Sequence, residues 1–391
     1  ADVQGFQAVM KRVQAGAGQT KPQIRWWIQP IGYLEVAQAV RAERGEGDRP
    51  RRRKRTMLDA FKATGFDALQ GIGGYVMVAP DKQFDLYHYT AVYAPPPYKE
   101  SMKVFSFPNG KEFIPQKWVP RDVAAYASFY ADVLNAFDNF APLFDELYND
   151  GEPGMWAEIL EGLKTDQHGP KVDLRNELIS RLGPRVSVVT DYQRPITTTS
   201  ERLLVAIETK DEKAVAAAIA KLFKNDPDMR KRTFPPDKET FVIWESVPPE
   251  KTDVPKLDLN LPDIGGGPKH QPREEARERS ILPNQAITVA HGSLLIASHY
   301  DFLTRILQQT DERASLAKTV DYQLVDKTLE AKTPAPHSAE SFSRSDETLR
   351  PTYELIRQGK MPESEMLFGR VLNTVLGPGK KGVPRKQEIQ G

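Results

Sequence analysis

The sequence predicts an α+β protein made of duplicated units, each an antiparallel β-meander backed by helices, with additional C-terminal helices. Three observations predict it. Ile72–Val78, Arg185–Asp191 and Arg202–Thr209 alternate with the period of two that sets one face of a strand on a core. Between such runs lie stretches with apolar residues at steps of three and four, as in Val215, Ile219, Leu222 and Phe223. One pattern also recurs: Gly73-Gly74-Tyr75-Val76-Met77-Val78-Ala79-Pro80-Asp81 and Gly183-Pro184-Arg185-Val186-Ser187-Val188-Val189-Thr190-Asp191 both read Gly-x-x-Val-x-Val-x-x-Asp. Two unrelated strand–turn junctions share such short patterns, but the shared order of later elements supports duplication.

Three regions follow from this reading. Residues 1–118 form a first α+β unit, 119–330 a second, and 331–391 a linker, C-terminal helices and a loose tail. In the first unit Phe6, Val9, Met10 and Val13 predict a helix stopped by Gly16 and Gly18. Ile24–Ile28, between Pro22 and Pro30, reads as an apolar stretch packed on the core, and Leu34, Val36, Ala37 and Val40 as a second helix. A basic loop spans 44–55, a helix through Met57, Leu58 and Phe61 follows, and a meander occupies 72–114. Its strands are Ile72–Val78 and Phe84–Tyr93, then a hairpin of Lys103–Phe107 and Lys111–Ile114 around Asn109-Gly110.

The second unit opens with Tyr126, Tyr130, Leu134 and Phe137 at helical steps, then helices starting at Pro142, over Trp156–Leu163 and over Leu174–Leu182. After the strands Arg185–Asp191 and Arg202–Thr209, Asp211 caps a helix. Phe241–Trp244 is a strand, and 248–278 is a Pro-, Gly- and charge-rich surface excursion. Ala286–Ala290 and Ser293–Ala297 make a hairpin on His291-Gly292, and Ser298 with Asp301 starts a helix. Thr333–Arg344 is a polar linker; helices are expected around Tyr353–Arg357 and over Ser364–Val375, the latter with a Met366, Leu367, Val371, Leu372 and Val375 stripe.

Composition excludes several functions. The 391 residues are 39% hydrophobic and 27% charged, with 54 Lys and Arg against 53 Asp and Glu, so the chain as a whole has no field of one sign for nucleic acid or an anionic membrane. No nucleic-acid partner is expected, and no apolar run approaches the roughly 20 residues of a spanning helix. Cysteine is absent, which removes disulfides, thiolate metal sites and Cys nucleophiles, and leans toward an oxidising envelope or extracellular setting. The start at Ala1 fits a processed N-terminus or an excised piece equally well.

No motif carries catalysis, a cofactor or a metal. The six histidines, His88, His168, His270, His291, His299 and His337, show no i, i+3 or i, i+4 pairing. His88, between Tyr87 and Tyr89, reads as a core or edge histidine. There is no Gly-x-Ser-x-Gly elbow, Gly71-x-Gly73-Gly74 precedes a strand where a dinucleotide loop follows one, and Pro268 spoils a phosphate loop at Gly265–Lys269. Carboxylates such as Asp145 and Glu146 read as solvated helix faces, and Tyr87, Tyr89, Tyr93 and Tyr98 as either a polar binding face or a half-buried sheet face.

The sharpest local feature is Arg49, Arg51, Arg52, Arg53, Lys54 and Arg55, six basic residues in seven. Guanidinium groups suit phosphate, sulfate or carboxylate, which makes this run a candidate polyanion site. The competing reading is a solvated loop neutralised by Glu43, Glu46, Asp48 and Asp59.

Leu182–Asp191, then Leu203-Leu204-Val205-Ala206-Ile207-Glu208-Thr209-Lys210-Asp211, then Gly292-Ser293-Leu294-Leu295-Ile296-Ala297-Ser298, follow in order. Together, over roughly residues 120–375, they resemble planctomycetal membrane-anchored or secreted proteins of a domain-of-unknown-function family. The resemblance implies an exported protein with a leader or anchor and supplies no catalytic residue. The expectation is a non-enzymatic envelope or extracellular scaffold whose partners are other envelope proteins or an anionic polymer. The alternative is a binding or hydrolytic protein with a site built from loops: convergent titratable groups in a pocket favour it, whereas a large, flat, apolar exposed patch favours the scaffold.

Overall fold

The computed structural model describes residues 3–18, 21–43, 57–78, 84–238, 240–247 and 284–360. The basic run Arg49–Arg55, the turn at Pro80-Asp81-Lys82, the excursion Pro248–Glu278, the Ser364–Val375 helix and the tail lie outside the described residues. The fold is α+β, with one three-stranded and one eight-stranded antiparallel sheet. Two compact units interleave along the chain, residues 1–106 with 134–162 and residues 107–133 with 163–391, where a single cut at 118/119 is expected.

The first unit holds α1 (Gln4–Ala17), β1 (Ile24–Ile28), α2 (Pro30–Glu43), α3 (Met57–Ala63), β2 (Gly71–Val78) and β3 (Leu86–Tyr93). The sheet order is β1-β2-β3. Val9, Val13 and Ala17 recur every fourth residue, so α1 lays one stripe on Tyr75, Met77 and Ala91. Gly73 permits that approach, since a Cβ there would come within 2.8 Å of Val9 Cγ1. Further along come α4 (Val133–Asp138), α5 (Ala141–Tyr148) and α6 (Met155–Thr165), where Trp156 packs its ring 5.3 Å from Phe140 and 4.9 Å from Phe144.

The second unit is built on a sheet of order β11-β4-β5-β6-β10-β9-β8-β7. Its strands are β4 (Ala125–Tyr130), β5 (Leu182–Tyr192), β6 (Glu201–Thr209), β7 (Met229–Phe234), β8 (Phe241–Ser246), β9 (Ala286–Ala290), β10 (Ser293–Ala297) and β11 (Ala339–Ser343). Its helices are α7 (Glu212–Phe223), α8 (Tyr300–Gln308), α9 (Val320–Lys332) and α10 (Ser345–Arg357). Both faces are covered. On one, Phe302, Leu303, Ile306 and Leu307 of α8 join Val189, Leu204 and Leu295 in a buried core. On the other, Val215, Ala218 and Ile219 of α7 meet Leu182, Ile287 and Leu294. The Asp211 carboxylate accepts the Ala214 amide at 3.0 Å, the expected cap. The β9–β10 turn puts His291 and Gly292 at φ 56° and 74°, the left-handed pair of a type I′ hairpin.

Local order in the two sheets is alike. In β1-β2-β3 and in β4-β5-β6 the first strand is followed by helices, the second pairs antiparallel with it, and the third pairs antiparallel with the second. The recurring Gly-x-x-Val pattern thus falls on the middle strand of each set.

Several expectations are corrected. The Asn109-Gly110 hairpin does not form: Glu100–Val104 is a 3-10 helix, and Gly110 instead makes a lone antiparallel bridge with His337. The Gly110 amide donates to His337 O at 2.8 Å, and a Cβ on Gly110 would come within 2.0 Å of the Tyr130 ring, so a tertiary contact overrides the local turn signal. Tyr126 and Tyr130 lie on strand β4, because a step of four is also two periods of two. Leu174–Leu178 is a single wide turn, followed by a 3-10 turn before β5. Ser298 does not cap α8; its Oγ accepts the Leu203 amide at 2.9 Å, and His299 takes the capping position. Part of the supposed polar linker is β11, whose Phe342 is buried against Tyr322 at 5.5 Å. Asp145 and Glu146 are buried, 6% exposed each.

Candidate interaction surface

Register assigns every side chain of the three-stranded sheet to one of two faces. Arg25 pairs with Tyr75, Trp27 with Gly73, Tyr75 with Tyr89 and Met77 with Tyr87, and this set faces α1. Its interior is aromatic: the Tyr75 ring stacks 5.4 Å from Tyr89, and Phe6 meets Trp27 edge-on at 5.5 Å. The Tyr75 hydroxyl donates to Gly16 O at 3.0 Å, and burial, reinforced by Tyr87, pushes its pKa above the usual phenol value. Tyr87, Tyr89 and Tyr93 thus belong to a half-buried face packed on α1, one of the two readings open for them.

The opposite set is Ile24 with Val76, Trp26 with Gly74 and Ile28 with Ile72, continued by Val92, Thr90, His88 and Leu86 on β3 opposite Ile72, Gly74, Val76 and Val78. This outer face is apolar and open to solvent. Leu86 is 56% exposed, Val78 53%, Ile24 52%, Val92 44%, Ile28 40% and Trp26 36%. None of its eleven residues is Lys, Arg, Asp or Glu. Pro30 starts α2 two residues after β1, and Tyr33, Val36 and Val40 form a second exposed apolar stripe at helical spacing. Ile31, by contrast, is buried. A soluble surface scatters single apolar residues, but a contiguous apolar sheet face signals a partner.

Ile24–Ile28 is therefore only partly the core-packed stretch expected: Trp27 turns inward while Ile24, Trp26 and Ile28 face water. One parity of Ile-Arg-Trp-Trp-Ile is wholly apolar, Ile24, Trp26 and Ile28, and the other is Arg25 with Trp27, so the alternation points the first set to a core and the structure turns it outward. His88 sits on the edge strand β3 and is exposed on this outer face. The six candidate polyanion residues lie outside the described residues.

Elsewhere several titratable groups are held in structural pairs. Arg202 donates to the carbonyls of Thr199, Ser200 and Glu201 and reaches Asp301 at 3.0 Å. His299 lies beside Arg202; burial, then that guanidinium, lowers its pKa. Burial also lowers the pKa of His291. A shallow groove of about 320 Å3 has Leu163, Pro170, Leu222, Phe223 and Pro227 as walls beside His168, Asn225 and Asp226, with no hydroxyl nucleophile among them. Among the described residues no group of three or more His, Asp or Glu could hold a metal ion, and no helix is long and apolar enough to cross a membrane. Comparison with protein-family models, curated proteins and solved structures finds no match.

Proposed function

We propose that this chain is a non-enzymatic interaction protein, a scaffold of the cell envelope or extracellular space, which assembles by packing the outer face of its three-stranded sheet on the same face of a second copy. The observation that carries this is the run of exposed apolar side chains from Ile24 to Val92 across three paired strands. A sheet with helices on one face and apolar residues on the other is half of a sandwich; a second sheet packed about 10 Å away completes it. An uncharged face suits self-pairing, because a twofold contact would otherwise set like charges against each other. Eleven residues per copy are about half of the roughly 20–30 a side of a standard interface, which makes the contact a weak, concentration-dependent one.

Absence of cysteine and the resemblance to exported proteins support the location. The shared order of β1-β2-β3 and β4-β5-β6, with Gly-x-x-Val-x-Val on both middle strands, supports descent of the two meanders from one duplicated unit. Six positive charges in Arg49–Arg55 favour a second, accessory contact with an anionic polymer.

Sedimentation equilibrium over a wide concentration range tests the assembly. The wild-type chain is expected to self-associate and an Ile24→Lys, Leu86→Lys double variant to be monomeric, with thermal stability unchanged at dilutions where the wild type is monomeric too, since both positions are exposed and do not face each other in the register. A wild-type chain that stays monomeric throughout defeats the proposal.

A further inference from the structure

We propose that association of two copies through the outer sheet face is controlled by protonation of His88, so that the pair forms while the imidazole is neutral and separates on acidification. The inference rests on the face-to-face pairing proposed above and adds a control to it. Register sets His88 of β3 opposite Val76 of β2, and Val76 opposite Ile24 of β1, so the imidazole ends a cross-strand row that is otherwise apolar. Its neighbours on the same face of β3 are Leu86 and Thr90, and all three are exposed. Among the eleven residues of the face, His88 is the one that exchanges a proton in the physiological range. The Thr90 hydroxyl and the Trp26 indole N–H supply its other polar side-chain groups, and neither titrates there.

Charges near the sheet do not compensate a proton at this position. Helix α1 covers the opposite face, and its charged residues are Lys11 and Arg12. Arg12 gives its guanidinium to Val92 O and lies 5.6 Å from the Tyr93 ring centre. Arg25, Tyr75, Tyr87 and Tyr89 alternate onto the α1 side. Asp85 lies just ahead of β3, on the parity of Tyr87. The imidazole of His88 enters no hydrogen bond or ion pair among the described residues. In the separate chain the exposed ring is hydrated in either form. Between two apolar sheets an imidazolium would lose that hydration, and the facing copy offers a second His88 where a carboxylate would be needed. Association therefore favours the neutral ring and expels its proton, so the contact holds above the imidazole range and is lost as pH falls through it. Each ring contributes up to about tenfold per pH unit, and the two rings of a pair up to about a hundredfold.

Sedimentation equilibrium of the full chain at about pH 7.5 and about pH 5.5, at one ionic strength, tests this. Wild-type association is expected to weaken about a hundredfold at the lower pH, with an unchanged circular dichroism spectrum to show that the chains separate without unfolding. His88→Gln and His88→Val, neutral throughout, should associate with a constant that no longer varies with pH. Wild-type association that is equal at the two pH values, or a pH dependence kept in both variants, overturns the control by His88 and leaves the face pairing standing. Two neutral variants that fail to associate where the wild type does overturn it as well, because a face without charge should then suffice. A wild-type chain that is monomeric at both pH values defeats the face pairing itself, and the control with it.

Discussion

Trp26 stands opposite Gly74 in the register of β1 and β2, so the indole on the outer sheet face has a cross-strand partner without a side chain. Gly74 cannot gain one, because a Cβ there would come within 2.0 Å of Tyr89 O. The strand pair therefore sets an aromatic ring beside a buried glycine in the middle of a face without Lys, Arg, Asp or Glu. In sandwich cores such faces interdigitate with the side chains of a second sheet.

Asp145 should be worth much more than a surface carboxylate. It is buried and accepts the amides of Gly154 at 2.8 Å and Trp156 at 2.9 Å, tying the end of α5 to the start of α6. Removing it leaves two donors without partners, and Asp145→Ala is expected to lower unfolding stability by about 1–3 kcal/mol. Urea denaturation measures this; a loss near zero would mean that water replaces the carboxylate freely.

Arg305 holds the buried Asp191 carboxylate at 2.5 Å and the exposed Asp122 at 2.7 Å. Burial nevertheless keeps the Asp191 pKa above its usual value, against the pull of Arg305. A carboxyl whose folded pKa is raised supports the fold below its unfolded pKa and loses that support as pH rises through the folded value. In Arg305→Gln the stabilising charge is gone and the raised pKa rises further. The variant should lose about 1–3 kcal/mol near neutral pH, and the deficit should shrink as pH falls through the raised Asp191 pKa, where the carboxylate takes up a proton. Stability measured against pH checks the sign; a deficit that grows on acidification would refute it.

The Arg49–Arg55 run is expected to give weak, salt-sensitive retention on heparin. Counterion release makes such binding fall steeply with ionic strength. Replacing Arg51, Arg52, Arg53 and Arg55 with Gln should bring elution to markedly lower salt. Co-elution of variant and wild type would leave the run an ordinary solvated loop.

Fold class was legible because several elements obey a single period. Arg202–Thr209, the Asp211-capped α7 and the His291-Gly292 hairpin all form as their residues suggest. The errors have physical causes. Tyr126 and Tyr130 satisfy the helical and the strand period together, and only pairing with Val189 and Arg185 decides for a strand. Gly110 carries a strong turn signal but finds a better partner in His337, more than two hundred residues away. β7, with Met229-Arg230-Lys231-Arg232, has no apolar alternation to read; Arg230 and Arg232 both reach Glu245 across the β7–β8 pair, so an edge strand is held by cross-strand charges. The outer face is not legible in the sequence for another reason. Apolar residues in a strand suggest burial, and a sequence does not say whether the burying partner is the same chain or another copy.

Face-to-face contact between the outer sheets of two copies is directly measurable, because the sequence has no cysteine. A single Cys in place of His88, exposed on β3, or in place of Lys11, exposed on α1, gives one thiol per chain. A bifunctional thiol reagent about 10 Å long matches the spacing of packed sheets. His88→Cys should cross-link efficiently to a dimer and Lys11→Cys should not. Equal yields from both, or no dimer from His88→Cys, would contradict face-to-face assembly.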